Sequence, residues 1–148
     1  VSNIIFGILG PVASELKIEL VPGQVQSVAE AVAAIENLPN DIDAIYRIPS
    51  PTLDPLNSQL SEAAIKRKLP MGAGLPLDEA VLFTLATDLF AVGEQTSRQA
   101  QQIFEGSNPA TLPVETGEVF MSINLKTADA IGIHISDDLL KLADTIIR

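Results

Sequence analysis

Few side chains in this chain can do covalent or acid–base chemistry. Among 148 residues there is no Cys and a single His, His134. That removes disulfides, thiol catalysis and any metal site built on Cys or on a His cluster. A Ser/His/Asp relay would have to use His134, which sits between Ile133 and Ile135 in a short apolar connector, and no G-x-S-x-G elbow accompanies it. A structural place for His134 is favoured over catalysis. No Walker A sequence occurs, and Gly72-Ala73-Gly74 lacks the third glycine and the following helix of a dinucleotide loop. The polar groups that remain suit binding. One set lies in Pro49-Ser50-Pro51-Thr52-Leu53-Asp54, just after a short apolar run. Another is Asp88, just after the apolar run Val81–Ala86. Asp88 has two readings, as the cap of a helix or as an acid reaching across a cleft, and the cap is the commoner use of such a residue.

The element that must position the loop is Asp43–Ile48. Ala44, Ile45, Tyr46 and Ile48 favour a buried strand, and Pro49 and Pro51 end it. Ligands of open α/β sheets sit at the carboxyl ends of strands, which makes residues 49–54 the first candidate for function. A receiver domain would need an Asp at that end of the strand; here Asp43 precedes it.

Around this strand the pattern alternates. A helix is expected from the first residues to about Leu16, with Pro11 as its weak point. Lys17–Pro22 reads as a strand. Ser27 and Glu30 form a capping box for a helix through Leu38. Asp54 and Pro55 open the next helix as N-cap and first residue, and Lys66-Arg67-Lys68 closes it where cations complement the dipole. Leu69–Ala73 is a strand, followed by a glycine loop at 72–74 and an irregular Leu75–Glu79. Val81–Ala86 is a strand, and a long helix follows from Thr87 or Asp88 to about Phe104. Glu105–Pro113 is a linker and Glu118–Asn124 a strand. A short helix ends at Gly132, and a last helix capped by Ser136 is expected through Ile147. Strands alternating with helices describe an α/β fold, a parallel sheet with helices on both faces.

Nine Lys and Arg against nineteen Asp and Glu give a net charge of −10, which disfavours nucleic acid and anionic membranes as partners. No apolar run approaches the ~18 residues of a membrane span. The chain begins at Val1, and is expected to be a processed form, a fragment or an excised domain.

Val114-Glu115-Thr116, Ser122–Ala128, Ala130–Ile133 and Ser136–Asp144 resemble the C-terminal "PVE…(I/V)NLKAAKALGI…P..LL..AD" pattern of one family. It is the ABC-transporter substrate-binding proteins of the tryptophan/tyrosine-type group. Asp43-Ala44-Ile45-Tyr46 is similar to that family's "DAIY" strand. Leu69-Pro70-Met71 is similar to its "IPV" strand. Thr84–Gly93 with Gln95, Thr96, Ala100 and Ile103 is similar to its segment leading into a long helix.

The resemblance implies a three-layer α/β lobe of the type I periplasmic-binding fold. It also implies that residues 88–106 return to a first lobe that this chain lacks. It implies non-catalytic binding of a small solute, an amino acid or similar, with Tyr46, Ser50, Thr52, Gly74 and Asp88 as ligand contacts and with neither cofactor nor metal. Three departures stand out: the family's polar "DN" pair is replaced within Pro49-Ser50-Pro51, its "GGD" reads Gly72-Ala73-Gly74, and both tyrosines of "DYYDLG" are lost at Leu89 and Phe90. The implied setting is extracytoplasmic, the periplasm or a cell-surface lipoprotein, with a membrane permease as partner. The alternative is the ligand-sensing domain of a signalling protein such as a sensor kinase, with a signalling module as partner. A third class, an enzyme, has no residues to recommend it. A half-protein also exposes what its missing lobe would cover, so a homodimer is expected.

Overall fold

The computed structural model describes residues 2–75 and 80–148; the irregular segment expected at Leu75–Glu79 lies mostly outside them. Five strands form one sheet in the order β1 (Ile45–Arg47), β2 (Met71–Ala73), β3 (Phe83–Thr87), β4 (Val119–Asn124), β5 (Thr145–Ile147). The pairs β1–β2, β2–β3 and β4–β5 are parallel, and β3–β4 is antiparallel. The fold is therefore α/β with a mostly parallel sheet and flanking helices.

The helices form largely where their end signals lie. In α2 (Val28–Glu36) the Ser27 hydroxyl accepts from the Glu30 amide, and the Glu30 carboxylate accepts from the Gln26 amide, one residue ahead of the cap. The helix α5 (Leu125–Ile131) is capped by Asn124, whose side chain accepts from the Thr127 amide. It ends at Gly132, whose φ of 78° is the left-handed conformation that glycine adopts freely. Helix α1 (Ser2–Glu15) ends where Lys17 turns left-handed.

Three expectations fail. Lys17–Pro22 makes no strand; β1 stays at the edge of the sheet, and Ile18, Leu20 and Val21 remain exposed. Two apolar residues at period two are too weak a pattern without a ladder to join. The helix after Asp54 begins as a 3-10 turn, Asp54–Leu56, and only then becomes α3 (Asn57–Lys66). Asp54 caps neither of them. The last helix, α6 (Asp137–Leu142), stops short, and the chain turns into β5 beside β4. Thr145, Ile146 and Ile147 are all β-branched, which favours strand over helix. Asp144 fixes the register: its amide donates to the Met121 carbonyl and its carboxylate accepts from the Met121 amide.

The core lies between the sheet and the helices. Leu60 and Ala64 of α3 pack with Leu69, Met71, Ala73 and Val81, and Ile35 of α2 joins them. Ala128 and Ile131 of α5 pack on Leu82, with Ile65 and Phe83 beside them. The helix α4 (Leu89–Phe104) takes no part, for none of its residues is buried. It is an excursion between β3 and β4. The returning chain is tied to it by Gln99 Nε2, which donates to the Pro113 carbonyl at 2.9 Å, and by an Arg98–Glu115 pair at 3.7 Å. At Gly117 the return passes so close to Thr87 and Val92 that a Cβ would overlap the Cγ2 methyls of both.

Thr87 and Val92 are β-branched and stiff at χ1, so they yield little. Gly117→Ala should cost about 1–3 kcal/mol, read by urea denaturation. Thr87→Ser in the same background should recover part of the loss.

Candidate functional site

Strands β1, β2 and β3 run parallel, so the segments that follow them emerge along one edge of the sheet. All five residues expected at the site lie on that edge. Tyr46 is on β1, Ser50 and Thr52 on the loop after it, Gly74 just past β2, and Asp88 just past β3.

Two of the five, Tyr46 and Gly74, meet there. Tyr46 pairs in register with Gly72, and its ring leans along the strand so that its hydroxyl lies 3.3 Å from the place a Cβ of Gly74 would take. Pro49 Cδ lies 3.6 Å from the same point. A side chain at position 74 would therefore press on both Tyr46 and Pro49. Tyr46 is half-exposed, at 50%, an unusual exposure for the middle of a strand. The loop after β1 is tightly built. The Ser50 carbonyl accepts from the amides of Leu53 (2.9 Å) and Asp54 (3.0 Å), and the Ser50 and Thr52 side chains are half-buried. The Gly74 amide donates to the Arg47 carbonyl at 3.4 Å, joining the ends of β1 and β2. Gly72 belongs to β2 and not to a loop. The ring of Phe83, its register partner on β3, lies over it where a Cβ would sit.

Asp88 stands apart. Ala73 pairs with Thr84, so Gly74 is level with Leu85, and Asp88 is three residues, about 10 Å, further along. Its Oδ1 accepts from the amides of Phe90 (2.8 Å) and Ala91 (3.2 Å), which caps α4. The cap reading of Asp88 is thus realised. The two tyrosines that the family pattern has after this Asp are Leu89 and Phe90 here, both largely exposed.

One residue at this edge carries no motif and escaped sequence reasoning. Arg47, the last residue of β1, is only 2% exposed, and its guanidinium pairs through Nη2 with Asp54 Oδ1. An Arg in a strand of buried character was the available signal. The basic run at the end of α3 is structural, as expected: Arg67 donates to the carbonyls of Leu38 (2.8 Å) and Pro39. His134 is exposed, in the connector between α5 and α6. Among the described residues no group of His, Asp and Glu could hold a metal, and no helix is long and apolar enough to cross a membrane. A shallow cavity of about 380 Å³, lined by Ile65, Asn124, Lys126 and Thr127, lies away from the candidate edge, beside the start of α5.

The model of one family, described as ABC transporter substrate binding protein, matches residues 4–147. No curated protein matches by sequence. Among solved structures, the chain is similar to the ABC domain in complex with L-Trp from Streptococcus pneumoniae, with TM-score 0.82 and 22% identity over 99% of this chain and 52% of that one. It is similar to a conserved domain protein from Vibrio cholerae, with TM-score 0.81 and 23% identity over 98% of this chain and 50% of that one. It is also similar to the ligand-free, open form of a substrate binding protein with adhesive properties from Clostridium difficile, with TM-score 0.77 and 19% identity over 99% and 50%. This chain spans about half the length of each.

Asp88→Ala removes the side-chain acceptor of the α4 cap and should cost about 1 kcal/mol, read as a lower denaturation midpoint. Asp88→Asn, which keeps the acceptor oxygen, should cost a few tenths at most.

Proposed function

The chain belongs to the ABC transporter substrate-binding protein family, a non-catalytic one, and from that premise we propose that it forms one wall of a cleft that captures a small solute, an amino acid or similar, for an uptake transporter. The observation that carries this is the meeting of Tyr46, Pro49 and Gly74 at the edge of the parallel strands. A half-exposed aromatic ring there can stack on an apolar or aromatic group, and the Ser50 and Thr52 hydroxyls can hydrogen-bond a polar one. Gly74 keeps the backbone open to close approach. Asp88, already a cap, would add a charge facing the opposite wall. The relative whose structure holds L-Trp supports an amino acid as the first ligand to try. The family match supports transport over sensing, an extracytoplasmic setting and a permease as partner.

The exposed helix α4 supports a second part of the proposal. Leu89 is 72% exposed, Phe90 77% and Phe104 89%. Large apolar groups this open imply a cover. We propose that residues 88–106 pack on a second lobe of a longer protein, and that in this chain alone the same surface pairs two copies. Light scattering should then show a dimer for this chain and a monomer for the longer protein. A monomer of this chain at high concentration overturns the pairing.

Binding is tested by a thermal-shift screen of amino acids, purines and sugars on this chain and on the full-length protein. A ligand at ~100 times its dissociation constant should add about 2.7 kcal/mol. Tyr46→Ala should weaken affinity roughly tenfold, equivalent to about 1.4 kcal/mol. No shift in either form overturns the binding reading.

A further inference from the structure

Arg47 and Met71 are the largest fully buried side chains among the described residues, and Arg47 alone of the two is charged. Its register partner is Ala73, which packs under Leu60 and Ala64 of α3, so Arg47 lies on the face that α3 covers. The guanidinium spends only one nitrogen, Nη2, on Asp54; Nε and Nη1 are buried with no partner among the described residues. On α3, one turn apart, Asn57 Oδ1 and Ser61 Oγ are likewise buried without a partner. A buried guanidinium held this incompletely is a poor stabiliser. Apolar side chains of similar volume in place of such a pair are commonly neutral or better. Stability therefore does not account for Arg47.

What the pair accomplishes is geometric. Residues 47 and 54 bracket the loop that carries Ser50 and Thr52. One end is fixed in the sheet. The other is the first residue of the 3-10 turn leading into α3, and Asp54 offers its half-exposed carboxylate there instead of capping the helix. Between them Pro49 and Pro51 restrict the chain, and the Ser50 carbonyl closes an inner turn on Leu53 and Asp54. The ion pair shuts the outer ring.

We propose that Arg47 is a positioning residue for the ligand loop, holding Asp54 from beneath and thereby fixing Ser50 and Thr52 at the sheet edge. Its importance for ligand rests on the binding reading above; its effect on the loop does not.

The test is hydrogen exchange of the amides at positions 53 and 54, measured without ligand. Arg47→Met/Asp54→Ala removes both charges together, so the fold is retained. Both amides should exchange at least tenfold faster, while amides of β3 and β4 keep wild-type rates. Asp54→Glu alone, with Arg47 in place and the carboxylate kept, should retain most of the protection. Should the double variant not fold, Asp54→Ala, which removes the acceptor on the half-exposed partner, gives the same readout. Unchanged exchange at 53 and 54, or an equal rise across β3 and β4, overturns the proposal. With L-tryptophan as the first probe, the same variants should bind several-fold more weakly. If the loop loosens as expected but no solute shifts the wild-type protein, the clamp stands and the binding reading falls.

Discussion

A parallel pair of strands cannot be closed by a tight turn. Each crossover must carry the chain back along the sheet, and in this protein α3 does so between β1 and β2. The consequence is directional: the C-terminal ends of β1, β2 and β3 fall on one edge. The juxtaposition of Tyr46, Pro49 and Gly74 follows from that constraint, since they come from two strands that are neighbours only because the crossover is complete. The one antiparallel pair, β3–β4, marks where the rule is broken. There the chain leaves the sheet for α4, returns past Gly117 and runs down beside the strand it left.

The sheet also explains how two kinds of polar group are treated. Thr84 and Ser122, register partners on β3 and β4, satisfy each other with a hydroxyl–hydroxyl bond. Arg47 receives one carboxylate, and among the described residues two of its nitrogens have no partner. The first arrangement is what a core requires; the second is what a core tolerates when geometry is needed elsewhere. The strand end that presents Tyr46 beside Gly74 thus presents, on its opposite face, the cation paired with Asp54.

Membership of a substrate-binding family and a span of half the length of the similar solved structures make sense of the uneven burial. The segments packed on the sheet bury Leu60, Ala64, Ala128 and Ile131, whereas α4 has no fully buried residue despite a row of apolar side chains. Such a helix keeps its apolar side chains outside the core of this lobe. Its capping by Asp88 and its ties to Pro113 and Glu115 hold it in shape without a core of its own.

Much of the fold was legible in the chain because its signals are local. Ser27, Asp88 and Ser136 each accept from a helix amide two or three residues on, and Gly132 supplies a left-handed residue, so neighbours in sequence suffice. The family tail at residues 114–144 was legible for a similar reason, being a pattern of identities. Where local preference was weak or doubly satisfied, the sequence misled. Lys17–Pro22 alternates like a strand but finds no ladder, and the last residues extend the apolar spacing of α6 yet join β4 through Asp144. Asp54 reads as a helix cap beside Pro55, and only the packing of α3 on β1 brings it to Arg47 instead. By itself, then, the sequence determined most of the helix starts, the apolar runs and the family. The tertiary structure alone decided which strands are neighbours and which carboxylate meets the buried guanidinium. Those depend on contacts between residues far apart in the chain, and no local propensity encodes them.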